Sequence, residues 1–309
     1  MTRNFELLSP DWSDYQLLDS GNSKKFERFG EFALIRPEPQ AKWSPALPPA
    51  RWGAADAEFT KTSAGRPGQW KFRKSVPQRW EMHRDHLKFW VQPAPSGHVG
   101  VFPDQACHWD WIAEMTRCVP APLRVLSLFG HTGLATLAAS AAGAEVTHVD
   151  ASRKAVAAAR ENQSLSQLSE RPIRWIVEDA LTFVRREARR GNRYDAIILD
   201  PPRFGRGPDA QIWKLDSSLP ELLAACANVL SPSPAFVLLN VYVTVLSHGR
   251  SETEAESLRS YLHEMLKPFP MTTTAGQLTL QDAAARRIHS SIFAKAQRNV
   301  SRLSREPSQ

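Results

Sequence analysis

Two patterns of apolar and polar positions divide the chain. From Leu123 onward, short apolar runs that end on a polar residue alternate with stretches of helical period. Residues 124–129 (RVLSLF) run into Gly130, and 134–142 is small and helix-favouring up to Gly143. A second run, 145–149, ends on Asp150, and 154–163 follows as a helix. A third, 173–177, ends on Glu178 and Asp179, before a helix over 181–190 that stops at Gly191. A fourth, 194–199, ends on Asp200, and 236–243 is a fifth. Ser218 with Glu221, and Ser251 with Glu254, have capping-box spacing ahead of two more helices. In the second of these, Ala255, Leu258, Leu262 and Met265 recur at helical spacing. Strands alternating with helices predict a parallel, doubly wound α/β sheet with right-handed crossovers. Ligands of such sheets bind beyond the carboxyl ends of the strands, where the acidic residues fall.

The first part of the chain reads differently. Residues 13–35 alternate in short strands separated by turn residues such as Ser20-Gly21-Asn22, which predicts a β-meander. Residues 36–79 carry nine Lys/Arg against three acids, with Trp43, Trp52 and Trp70 among the bases. Such a mixture can stack on bases and track phosphates, or it can be the tryptophan-rich core of a small β domain. The domain boundaries expected are 1–92 for a small β-rich unit with a Pro-rich, basic linker, 93–297 for the α/β unit, and 298–309 for a disordered tail containing Arg298, Arg302 and Arg305.

Composition narrows the class. The chain has 309 residues and a net charge of +7, a balance that favours polyanionic partners such as nucleic acid. Cys107, Cys118 and Cys226 are too few and scattered for a disulfide framework or zinc site, so a reducing, cytoplasmic setting and no metal are expected. The longest apolar run, 235–246, is interrupted by Asn240 and falls short of the ~18 residues that span a bilayer. The polar first residues carry no secretory signal pattern.

Candidate chemistry lies at the strand ends. Phe129-Gly130-His131-Thr132-Gly133 offers a tight turn and a helix N-terminus that favours a carboxylate or phosphate. Its two glycines lack the third of a dinucleotide loop, so a ligand without a pyrophosphate fits better. Asp150, about 20 residues on, is placed to accept both hydroxyls of a ribose. Ser152 follows closely. Asp179, on the opposite face from Glu178, could accept from an exocyclic amine. Asp200-Pro201-Pro202-Arg203-Phe204 turns rigidly out of the sheet, presenting carbonyls to an amine and an aromatic face to a planar base.

This set of FGHTG, VD at 149–150, ED at 178–179 and DPPRFGRG resembles bacterial class I S-adenosylmethionine-dependent methyltransferases of the ribosomal RNA large-subunit methyltransferase I and K/L family. The resemblance takes in Gly100-Val101-Phe102-Pro103-Asp104-Gln105 and runs to 290–296 (SSIFAKA). It implies a Rossmann-like sheet of seven strands, the last antiparallel and closed by a hairpin over 278–280 and 288–294. Phe129, Gly130, Thr132 and Gly133 would contact the amino-acid end of S-adenosylmethionine. Asp150, with Ala151 and Ser152, would hold its ribose, and Asp179, with Ala180, its adenine. Gln105 would close over the cofactor. Asp200 would stand between cofactor and acceptor, and Pro201, Pro202 and Phe204 would face the acceptor, a base of ribosomal RNA. His131 departs from the aromatic residue usual in this loop. No cysteine stands in the loops after the fourth and fifth strands, where C5-methylating relatives carry a nucleophile, so transfer to nitrogen is expected. The rivals are a methyltransferase of small molecules or proteins, for which deletion of residues 1–75 should spare activity, an RNA-binding protein with a vestigial cofactor pocket, and a nicotinamide oxidoreductase.

Overall fold

A computed structural model describes residues 5–61, 68–119, 122–208, 211–242 and 251–298. The first part of the chain holds β1 (Phe5–Leu8), β2 (Tyr15–Gly21), β3 (Lys24–Phe29), β4 (Phe32–Pro37), α1 (Pro49–Gly53), β5 (Ala57–Thr60), β6 (Gln69–Phe72), β7 (Trp80–Arg84) and β8 (Leu87–Val91). β2, β3 and β4 form the expected antiparallel meander, and Asn22 and Ser23 take the positive φ that its first tight turn requires. β5 returns parallel to β4, and β6 completes a five-stranded sheet. β7 and β8 pair as a separate hairpin. Tyr15, Phe29, Leu34, Met82 and Phe89 are buried between these strands. Trp43, Trp52 and Trp70 turn their indole N–H groups inward, to Ser20 O (3.1 Å), Asp19 Oδ2 (2.8 Å) and Ala94 O (2.7 Å). Satisfied in this way, they belong to the packing of the small unit.

The second part begins with a 3-10 turn (Pro103–Gln105) and continues through α2 (Ala106–Arg117), β9 (Arg124–Leu128), α3 (Leu134–Ala141), β10 (Glu145–Asp150), α4 (Arg153–Leu165), β11 (Ile173–Val177) and α5 (Ala180–Arg189). Then come β12 (Ala196–Leu199), β13 (Phe204–Arg206), β14 (Ile212–Lys214), α6 (Leu215–Ala227), β15 (Phe236–Tyr242), α7 (Ser251–Leu266), β16 (Met271–Gln281) and β17 (Arg287–Arg298). The sheet runs β11-β10-β9-β12-β15-β17-β16, with β17 antiparallel to both neighbours. Period 2 sorts the strand residues. Leu126, Leu128, Ile197, Leu199, Val237 and Leu239 share one core with α5, α6 and α7. Val125, Ala196, Ile198, Phe236 and Leu238 share another with α2 and α3. Helices on both faces explain why β12 is buried along its whole length.

Three expectations need correction. The sheet has eight strands, because β1 adds in parallel to the outer edge of β16, so Phe5–Leu8 belongs to the α/β unit and not to a 1–92 unit. Four residues are too few to reveal a period, and their partner lies far away in sequence. Ser218 and Glu221 do not open a helix. The chain passes from β14 directly into α6 with Lys214 as N-cap, and Glu221 pairs with Arg185 of α5 on the exposed surface. The last hairpin is longer than 278–280 and 288–294, spanning Met271–Gln281 and Arg287–Arg298. Ala255, Leu258, Leu262 and Met265 are buried as expected, whereas the side chain of Ser251 and residues 299–309 lie outside the described residues. No helix among the described residues is long and apolar enough to cross a membrane.

Candidate active site

The loop after β9 is held from three sides. A Cβ on Gly130 would lie 2.3 Å from the His148 ring, and one on Gly133 would lie 2.8 Å from the Ala159 Cβ, so the loop can press against β10 and α4 only with glycine at both places. Gly133 also has φ +88 as the N-cap of α3. Phe129 and His131 take φ of 56 and 47, an unfavourable region for bulky residues. The contacts that hold them there include the His131 N–H donating to Asp150 Oδ2 at 2.9 Å. Ser152 N–H donates to Asp150 Oδ1 at 2.8 Å. The carboxylate is thereby fixed through both oxygens, each with a lone pair left over. Thr132 spends its hydroxyl on Gly100 O (2.7 Å), which ties the loop to the segment before α2. Asp179 is the N-cap of α5, its Oδ1 accepting from the Thr182 N–H and hydroxyl, both at 2.9 Å. Glu178 is paired with Arg186.

At the end of β12 the acceptor side takes shape. Burial pushes the Asp200 carboxyl up to about 7, against the hydrogen bond from Asn240 Nδ2 to its Oδ1 (2.8 Å), with Asp104 and Asp150 nearby adding to the rise. Ser291 orients Asn240 from β17. The two proline carbonyls are not equivalent. Pro202 O accepts the Trp213 indole N–H at 2.6 Å and keeps one lone pair, and Pro202 lines the cavity, whereas Pro201 is buried and does not. Phe204 is 68% exposed and, unlike its neighbours Arg203 and Gly205, does not line the cavity that Asp200 and Pro202 share.

Three residues that sequence reasoning missed complete the site. Trp213, on β14, packs its ring 4.9 Å from Phe129. Tyr242, at the end of β15, accepts from Gln105 Nε2 at 3.3 Å and contacts the Phe102 ring. Gln105 is itself buried in the 3-10 turn. Asp104 is 4% exposed, and its Oδ2 has no hydrogen-bond partner among the described residues. Burial raises its pKa. His131 packs edge-on against Phe102, and burial lowers its pKa, which favours the neutral imidazole.

Phe129, His131, Asp150, Ala151, Ser152, Asp179, Ala180, Asp200 and Pro202 all line one cavity of about 810 Å³. Asp104 and Tyr242 line it too, and so do Lys25, Phe59, Lys61 and His98 from the N-terminal unit. The volume is in the range of sites for nucleoside-sized ligands. Four aspartates, one with an unpartnered buried oxygen, suit a ligand that brings positive charge together with a diol and an amine. S-adenosylmethionine, with a sulfonium and an ammonium, a ribose and an adenine, fits that donor set. Among the described residues no cluster of His, Cys, Asp and Glu could hold a metal. Cys226 is buried in α6, burial pushes the Cys107 thiol up to about 12, and no cysteine lines the cavity.

A family model described as Conserved hypothetical protein 95 matches residues 108–214, from α2 to the end of β14. The crystal structure of the SAM-dependent methyltransferase from Agrobacterium tumefaciens is similar with a TM-score of 0.89 and 38% identity, over 96% of this chain and 94% of that one. The ribosomal RNA large subunit methyltransferase K/L of a Shewanella species is 34% identical over 120 residues, 38% of this chain and 17% of that protein. The ribosomal RNA large subunit methyltransferase I of Aeromonas salmonicida is 32% identical over 166 residues, 53% of this chain and 38% of that protein. The chain thus spans well under half the length of these two curated relatives.

Proposed function

The chain belongs to the S-adenosylmethionine-dependent methyltransferases, and from that premise we propose that it methylates a nitrogen of a base in RNA, with ribosomal RNA the acceptor that its curated relatives suggest. The observation that carries this reading is the continuity of the cavity. Asp150 and Asp179 stand in the same space as Asp200, and Pro202 lines that space beside them.

When bound, S-adenosylmethionine supplies an electrophilic methyl group on a positively charged sulfur. The chain's own residues bind and orient. Asp150 keeps lone pairs on both oxygens for the ribose hydroxyls, because each already takes only one backbone N–H. Asp179 keeps Oδ2 for the adenine amino group, since Thr182 occupies Oδ1. The buried, unpartnered Oδ2 of Asp104 is suited to the ammonium. The glycine loop, with Phe129, Gly130, Thr132 and Gly133, shapes the amino-acid end. Ala151 and Ala180, without bulk, border the ribose and adenine.

Asp200 accepts an N–H of the acceptor at Oδ2 and disperses the positive charge that develops there, with Oδ1 anchored by Asn240. The remaining lone pair of Pro202 O, beside the one that Trp213 takes, is the second acceptor on this turn. Positioning in a water-poor pocket is the main contribution of such a site. The absence of a thiol in the cavity supports nitrogen over C5 as the acceptor atom. Lys25, Phe59, Lys61 and His98 make the N-terminal unit part of the active site, a wall of the cavity as much as a separate module.

The test is methylation of ribosomal RNA from a strain lacking the gene, using labelled cofactor, followed by mass mapping. One N-methylated nucleotide, absent from the strain's own RNA and restored by the protein, is expected. Label that enters only proteins or small molecules would overturn the RNA acceptor. Failure to bind S-adenosylmethionine by calorimetry would overturn the enzyme reading altogether.

A further inference from the structure

The short hairpin of β13 and β14 follows directly on the Asp200–Pro202 turn, and its two faces have opposite characters. The register pairs Phe204 with Lys214, Gly205 with Trp213 and Arg206 with Ile212. Because side chains alternate along a strand, Gly205 and Trp213 share one face, and Phe204, Arg206, Ile212 and Lys214 share the other. The inner face is anchored: Trp213 is 6% exposed, packed on Phe129 and bonded to Pro202 O. A further bond from the Leu215 N–H to Arg203 O (3.0 Å) closes the base of the hairpin. The outer face is open, with Phe204 68% and Ile212 69% exposed. Each apolar side chain stands across the ladder from a cation, so the four positions form a small checkerboard. Among the described residues, neither Arg206 nor Lys214 meets a carboxylate, although ion pairs are common elsewhere on the surface.

Two large apolar side chains exposed together on six residues of strand mark a contact surface more than a requirement of the fold. The cations select the partner. We propose that the outer face of this hairpin is a platform for single-stranded RNA, on which the nucleotides flanking the target base lie across Phe204 and Ile212 while Arg206 and Lys214 pair with their phosphates. This platform rests on the RNA reading above and extends it from the target base to its neighbours. The Trp213 anchor fixes the platform relative to Asp200, so bound RNA would be held in register with the acceptor pocket.

The experiment uses the full chain, a fluorescein-labelled single-stranded RNA containing the modified site, and two variants: Ile212→Ser, and Arg206→Glu combined with Lys214→Glu. S-adenosylmethionine affinity and the circular dichroism spectrum should match wild type in both, since the substituted side chains are exposed. The charge-reversed variant should raise the RNA KM at least tenfold with kcat little changed. The slope of log affinity against log salt should become shallower by about 1.4, about 0.7 for each lost phosphate contact on a single strand. Ile212→Ser should raise KM severalfold and leave that slope unchanged. A wild-type protein that methylates RNA while both variants keep its KM and salt slope would overturn the platform and leave the RNA reading standing. A wild type that neither binds nor methylates RNA would overturn both. Loss of a peptide or protein acceptor in the charge-reversed variant, with RNA never used, would overturn RNA as the occupant.

Discussion

Burial lifts the Asp200 carboxyl from its ordinary 3.8 to about 7, and the sign of that shift sets two opposing pH dependences. Between those values the folded state holds a proton that the unfolded chain has lost, so stability falls as pH rises through the window and stays lower above it. The role proposed for Asp200 needs the ionised form, which appears as pH rises through about 7. Asp200→Asn should therefore lower turnover by about 10² or more, abolish the acid limb near pH 7 in the kcat/KM profile for the cofactor, and raise the melting temperature above pH 7. A profile that keeps its acid limb in the variant would remove Asp200 from this role. Asp150, Asp179 and Asp200 could be found in the sequence because each ends an apolar run, and a parallel sheet gathers such ends along one edge. Asp104, Trp213 and Tyr242 could not. They reach the same cavity from a 3-10 turn, a short hairpin and the far end of β15, and no local spacing records that convergence.

At the scale of the element, Asp179 has two tasks that one substitution can separate. As N-cap it steadies α5 through Oδ1, and the residue also lines the cavity, where the adenine contact is proposed for its other oxygen. Serine caps a helix about as well as aspartate but brings no second oxygen. Asp179→Ser should thus leave thermal stability within about 0.5 kcal/mol while weakening S-adenosylmethionine binding, and Asp179→Ala should cost about 1 kcal/mol of stability as well. Calorimetry and thermal melts on the pair check this, and equal cofactor affinity in wild type and serine variant would disprove the adenine contact. Most elements of the sheet were legible because period 2 and period 3.6 alternate cleanly from 124 onward, and β11 begins and ends where the pattern does. The start of α6 was not, since serine and glutamate at capping spacing also occur within helices when their side chains find other partners, as Glu221 does in Arg185. β1 was invisible for a different reason, its pairing being wholly non-local.

Across the whole molecule, the N-terminal unit is fastened to the end of the last hairpin. Arg286, in the turn between β16 and β17, pairs with both Asp19 and Asp282 and donates to Ser44 O at 2.7 Å. Ser20 donates to Asp282 Oδ2 at 2.6 Å, and Gln40 donates to His289 O. Asp19 and Asp282 are 1% and 3% exposed, so Arg286→Ala would leave two buried carboxylates facing each other at a cost of about 3 kcal/mol. Calorimetric unfolding should show one transition for the wild type, and a lower or divided one for this variant. Deleting residues 1–75, which sequence reasoning treated as a way to tell a small-molecule acceptor from RNA, should abolish activity on any acceptor. It removes Lys25, Phe59 and Lys61 from the cavity wall and β1 from the sheet.

The parallel pairing of Phe5–Leu8 with Gly276–Thr279 has a consequence for biosynthesis. The first strand leaves the ribosome roughly 270 residues ahead of its partner, which at about 5–20 residues per second is a wait of some 15–50 s. During that interval its backbone groups are unpaired and the cavity lacks the hairpin turn that locks its N-terminal wall. Closure of the sheet is therefore among the last events of folding, and the nascent enzyme stays incomplete until the C-terminal hairpin emerges.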